Sequence, residues 1–172
     1  PVPAIDAHDL EDLATQCPIP ADGSQLGAIA EALAGRTFVL EGPPGTGKSF
    51  TTAFALLARV QGAMAADLDF RVTISCHTHA AIDVLMRNLL AARNDLDLIQ
   101  LRHPEIFEMY FDSRLLAIPL YRYRPTRTIP ADIVGLKQKR DSKAGEVTAA
   151  DTFMSQRWAV LGATPGGVRG LI

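Results

Sequence analysis

The sequence predicts an α/β fold in which a parallel sheet is flanked by helices, and three observations lead there. The apolar runs FRVTISC (Phe70–Cys76) and WAVLGA (Trp158–Ala163) are short and rich in strand formers. A third such run, RTFVLEG, enters a Gly/Pro loop that opens directly into a long apolar stretch. Helical periodicity fills the intervals between runs, and strands alternating with helices imply parallel pairing.

The elements follow in order. After a lead-in over residues 1–23, SQLGAIAEALAG starts at a Ser cap and carries Leu26, Ile29, Ala30 and Leu33 at helical spacing before Gly35. RTFVLEG is then a strand, and SFTTAFALLARVQG is a helix apolar all round, as a buried helix would be. FRVTISC with HTHAAIDVLMRNLLAARN forms a second strand–helix unit, with Ala81, Val84, Leu85 and Leu89 on one helix face. LDLIQL (Leu96–Leu101) reads as a third strand and WAVLGA as a fourth, the latter closed by Thr164-Pro165-Gly166-Gly167. Residues 103–151 break the pattern with Pro104, Pro119, Pro125 and Pro130 and read as a mainly helical or irregular insertion, so that 24–102 and 152–172 make one incomplete sheet domain.

Composition narrows the class. The 172 residues suit one domain with a sizeable core, and 48% hydrophobic content excludes a disordered or fibrous chain. Cys17 and Cys76 stand outside metal-ligand spacing and form no disulfide framework. No apolar run reaches the roughly 20 residues that cross a bilayer, and the acidic start lacks a signal-peptide core, so an intracellular, cytoplasmic protein without a membrane partner is expected. The net charge of −2 is uneven: residues 1–41 hold one Arg against seven acids, whereas 101–145 hold nine Lys/Arg against five. The basic half is a candidate nucleic-acid face, or simply a solvated one.

The chemistry concentrates in Gly42-Pro43-Pro44-Gly45-Thr46-Gly47-Lys48-Ser49, a full G-x-x-x-x-G-K-[ST] phosphate loop between an expected strand and helix. Glycines at these positions let backbone N–H groups turn towards phosphate oxygens, and the helix that follows offers its positive end to the same anion. Lys48 would reach the β/γ-phosphates, and the Ser49 hydroxyl would hold Mg²⁺, a cation that prefers oxygen ligands. ATP with Mg²⁺ is therefore the expected cofactor, bound by the eight loop residues with Phe50. A plain strand-to-helix turn would not need Lys followed by Ser.

Joined to the helix before it, the loop (SQLGAIAEALAGRTFVLEGPPGTGKSFTT) resembles the opening of superfamily 1 helicases of the Upf-like and Senataxin-like branch, whose core is a pair of RecA-like lobes. The resemblance implies that Gln25 pairs with the adenine edge, a task suited to an amide with both donor and acceptor. ISCHTHAAIDVL (Ile74–Leu85) is similar to the family's motif Ia, which implies contacts from Thr78 and His79 to phosphate or sugar of a single-stranded nucleic acid, with Asp83 fixing the loop. For His77 and His79 the other readings are a metal pair, without further ligands at suitable spacing, or ordinary polar residues. WAVLGATPGG resembles motif Ic and implies that Thr164 touches the strand. Loops after parallel strands share the carboxyl edge of the sheet, so all three motifs are expected on one rim. The tract YRYRPTRT then gains a role, its rings stacking on bases while Arg122, Arg124 and Arg127 hold phosphates.

A hydrolytic phosphate-loop enzyme also needs a strand ending in an acid, commonly Asp-Glu in helicases, and no such strand is present. The arginine finger and the second RecA-like lobe are missing as well. Together with a start lacking Met and an end at Leu171-Ile172, this makes the chain look like the first part of a motor domain. By resemblance the parent protein is a 5′ to 3′ helicase or translocase, and the piece alone is expected to hydrolyse ATP poorly. The rival reading is a non-motor AAA+-like ATPase or nucleotide-dependent interaction module, which explains the missing acid without truncation.

Overall fold

A computed structural model describes residues 23–34, 39–137 and 147–171. These described residues pack as two compact units, one from those up to Leu68 with Asn88–Ala117 and the other from Asp69–Arg87 with those from Ile118 onward.

The first unit holds α1 (Gly23–Ala34), α2 (Lys48–Ala65), the second part of α3 (His79–Arg102), α4 (Pro104–Tyr110) and a 3-10 turn at Ser113–Ala117. Helix α2 buries Phe54, Leu57, Gln61 and Met64 along one stripe, plus Ala53 and Val60 beside it, so its wide apolar surface sinks into the core. Helix α1 packs on it through Ile29 and Ala32, and Arg59 donates from Nε (3.0 Å) and Nη2 (2.6 Å) to the Ala32 carbonyl near the open end of α1. Gln61 is fully buried, its amide donating to the Tyr110 carbonyl (2.7 Å) and accepting from the Asp112 N–H (3.2 Å). Those two bonds tie α2 to the chain leaving α4 and satisfy a polar group that would otherwise be costly to bury. The guanidinium of Arg114, hydrogen-bonded to Asp112, holds that carboxyl below the usual carboxylate range against the opposing effect of burial.

The second unit is built on the parallel sheet. Strands β1 (Phe70–Ser75), β2 (Leu120–Tyr123), β3 (Ile133–Leu136) and β4 (Trp158–Ala163) run in the order β1-β4-β2-β3, every pair parallel. Strand β4 is central and buried from Ala159 to Ala163, which is why WAVLGA reads as an unbroken apolar run instead of an alternating one. One core cluster joins Tyr121, Tyr123, Leu136, Ala159, Leu161 and Ala163 to Ala149 and Phe153 of α5 (Ala149–Met154), with Tyr121 edge-on to Phe153 at 6.3 Å. Helix α5 starts at a capping box in which Thr148 and Asp151 exchange hydrogen bonds. On β4, Gly162 makes room for α3: a Cβ there would lie 2.7 Å from Ile82 Cγ2 and 3.0 Å from Met86 Sδ.

Three readings change. LDLIQL is not a strand but lies inside α3, whose buried Leu89, Ala92, Leu96 and Ile99 continue a helical spacing through the deceptive Asp/Leu alternation. Residues 103–151 are not set apart from the sheet, since they supply β2 and β3. Their prolines punctuate short strands: Pro119 precedes β2, Pro125 follows it, and Pro130 precedes β3. Of the strand expected before the phosphate loop, Arg36–Phe38 lie outside the described residues, and Val39–Gly42 belong to no strand, with Val39 exposed. No helix among the described residues is long and apolar enough to cross a membrane.

Candidate phosphate loop and strand-edge site

The loop stands exposed from Gly42 to Thr46 ahead of α2, with Gly47 half-buried, and its path depends on backbone angles that side chains resist. Gly45 (φ +84°) and Gly47 (φ +75°) both lie in the left-handed region. Gly47 is the N-cap of α2, and no side chain caps the N–H groups of that helix start. The Lys48 ammonium arches back over the loop, donating to the Gly42 carbonyl (2.6 Å) and the Pro43 carbonyl, with Thr46 Oγ1 at 3.4 Å. Thr46 Oγ1 itself donates to the Pro43 carbonyl at 2.9 Å, which closes the loop on Pro43 and leaves Pro44 at its exposed turn.

Three further residues border the loop. Gln25, in the first turn of α1, donates from Nε2 to the Thr46 carbonyl at 3.2 Å and lies so near Gly47 that a Cβ there would come within 2.3 Å of the amide nitrogen. The sequence-distant glutamine is thus brought against the loop. Ser49 is half-buried at the second position of α2, and its hydroxyl has no protein partner among the described residues. Phe50 is half-buried, its ring 4.8 Å from that of Phe54 one turn on.

A second group gathers at the carboxyl edge of the sheet in the other unit. Because all four strands are parallel, Cys76–Thr78, Thr164, Arg124 and Lys137 leave their strands at the same edge. Thr78 is exposed and caps α3, its Oγ1 accepting from the Ala81 N–H at 3.2 Å. Thr164 does the same for the short helix α6 (Pro165–Arg169), accepting from the Gly167 N–H at 3.2 Å. Both threonines therefore serve as caps while their loops face the edge. Arg124 is exposed and adopts φ +48°, a left-handed conformation unfavourable for arginine, held by an N–H bond to the Leu136 carbonyl at 2.8 Å.

Arg122 is not the phosphate grip that the basic tract suggested, whereas Arg124 and Arg127 of the same tract are exposed. The Arg122 side chain is fully buried, and its five N–H donors are all engaged. Nε donates to Asp83 Oδ1 (2.7 Å), Nη1 to the carbonyls of Tyr123 (2.8 Å) and Gly162 (3.3 Å), and Nη2 to His79 Nδ1 (2.9 Å) and the His79 carbonyl (3.5 Å). No donor is left for a phosphate. Tyr121 and Tyr123 are buried in the core cluster too, so neither ring is available to stack on a base. The alternation that suggested an exposed face is instead that of a strand covered on both sides. Asp83 fixes the loop as anticipated, through a partner that sequence spacing did not reveal. The signal was faint: His79 and Asp83 stand four apart on one helix face, and only the fold brings Arg122 to them.

An AAA-domain family model matches residues 20–145, more than half of the chain. Over 69 residues the chain is 36% identical to the helicase required for RNAi-mediated heterochromatin assembly 1 of Schizosaccharomyces pombe, a stretch that covers 40% of this chain and 7% of that helicase. No solved structure matches the chain. The two matches agree with the α/β fold and the phosphate loop on a helicase-like P-loop ATPase domain.

Proposed function

Because the chain belongs to the AAA-domain family, we propose that it binds ATP with Mg²⁺ at Gly42–Ser49 and forms part of a nucleic-acid-stimulated helicase or translocase motor of the Upf-like and Senataxin-like branch. The observation that carries this reading is the loop itself: two left-handed glycines, an uncapped helix start and an inward-turned Lys48 ammonium make a cradle suited to an anion. Lys48 exchanges its carbonyl partners for more strongly accepting phosphate oxygens, and Gln25 reads the adenine edge from its position beside Thr46 and Gly47. The Ser49 hydroxyl holds Mg²⁺, which neutralises charge on the β/γ-phosphates. The strand-edge residues Thr78, His79 and Thr164, with exposed Arg124, contact the backbone of a single strand. Stepping is 5′ to 3′ by resemblance and belongs to the whole protein, together with its second lobe.

A second reading has one observation in its favour. Among the described residues the four strands end in Ser75, Tyr123, Leu136 and Ala163, so none of these supplies the acid that orients water in hydrolysis. A nucleotide-dependent interaction module would need none, and on either reading this chain alone binds nucleotide and turns it over poorly.

Titration with a fluorescent ATP analogue and Mg²⁺ tests the proposal. Lys48→Ala is expected to weaken binding about tenfold to a hundredfold, the loss of one charged hydrogen-bonding group. Equal affinity in the variant would remove the loop from the site. Strong turnover by this chain alone, raised by single strands, would sink the view that its acid is missing.

A further inference from the structure

Arg122 is buried where no ligand reaches it, yet four of its five acceptors lie on the segments that carry the edge loops. His79 Nδ1, the His79 carbonyl and Asp83 belong to the first turns of α3 behind Thr78, and the Gly162 carbonyl is two residues ahead of Thr164. One guanidinium therefore keys the two loops to each other and to the end of β2. Its effect on His79 is more specific than clamping. Arginine has donors and no acceptor, so a ring nitrogen 2.9 Å from Nη2 must offer its lone pair. The proton of neutral His79 then resides on Nε2, which has no protein partner among the described residues on a half-buried ring.

We propose that Arg122 is a positioning residue that fixes His79 as its Nε2–H tautomer, so that the strand edge presents a neutral hydrogen-bond donor to a phosphate or sugar oxygen of a nucleic-acid strand. Asp83 completes the device by balancing the buried charge, which leaves the guanidinium planar and oriented rather than seeking water. The final step, donation to a strand, rests on the proposed function; the tautomer does not.

Long-range ¹H–¹⁵N correlation on the ¹⁵N-labelled chain reads the tautomer directly, with the His79 signals identified by their loss in His79→Gln. The expected pattern is a pyridine-like Nδ1 and a pyrrole-like Nε2. A pyrrole-like Nδ1 overturns the proposal, as does an averaged pattern in the unmodified chain. Arg122→Lys keeps the charge opposite Asp83 but lacks the planar fork, so His79 should move to an averaged pattern while affinity for fluorescein-labelled oligothymidine falls about tenfold. An unchanged His79 pattern in that variant overturns the proposal, and a variant that fails to fold leaves the unmodified chain's spectrum to decide. If the tautomer is as expected but the unmodified chain binds no oligonucleotide, Arg122 still positions His79, and it is the strand-binding reading that fails.

Discussion

The phosphate loop and the strand edge are built in opposite ways. The loop relies on main-chain donors and on glycines that permit unusual angles, and its charged side chain, Lys48, stands within the loop's own eight residues. The edge relies on a buried side-chain network whose members, His79, Asp83 and Arg122, come from segments about 40 residues apart. A site of the first kind tolerates loss of packing and fails on a change of backbone angle. A site of the second kind fails when one charge loses its partner.

Asp83→Ala is the most severe way to test that contrast. It leaves the Arg122 guanidinium buried without its carboxylate, and breaking such a pair from one side costs about 3–5 kcal/mol. Trp158, the single tryptophan, begins β4 in the same unit, so its fluorescence during urea unfolding reports the loss where it occurs. A midpoint within error of the unmodified chain would show that water reaches Arg122 and that the network is not a closed one.

Gly47→Ala is the counterpart in the loop, with a smaller effect on stability and a larger one on binding. At φ +75° a Cβ is strained by about 1–2 kcal/mol, and here it would also meet the Gln25 amide at 2.3 Å. The Trp158 transition should stay in place while the fluorescent ATP analogue loses affinity by about tenfold or more, as loop and Gln25 are pushed apart. Retained affinity would mean that Gln25 gives way without consequence, which would remove its adenine role.

The same contrast explains what the sequence could and could not show. GPPGTGKS was legible because its function lies in local spacing, and WAVLGA was legible because a strand buried on both faces leaves a continuous apolar run. Gln25, which the structure sets against the loop, was singled out only by resemblance; nothing in its own sequence neighbourhood marks it. The tract Tyr121–Arg124 misled because basic and aromatic residues in alternation look alike whether they face solvent or a covered strand. What decides between the two is a carboxylate 39 positions earlier in the chain, Asp83, and pairings over that distance leave no periodic trace. LDLIQL failed for the converse reason, since Asp97 between Leu96 and Leu98 gave a helix segment the look of a strand.

The smallest effect is expected at Arg124, which lies at the edge but outside the buried network. Arginine at φ +48° stores about 1 kcal/mol that glycine would release, so Arg124→Gly should leave the Trp158 transition unchanged or raise it slightly, offset in part by the greater freedom of glycine in the unfolded chain. A residue kept in an unfavourable conformation at a sheet edge, when glycine would fit better, suggests that its side chain is needed there. Oligonucleotide affinity should therefore fall in Arg124→Gly, and more at low salt than at high, because a phosphate contact is also a counterion site. If stability rises and affinity does not move at any salt concentration, Arg124 is only a strained turn, and the strand edge would rest on Thr78, His79 and Thr164.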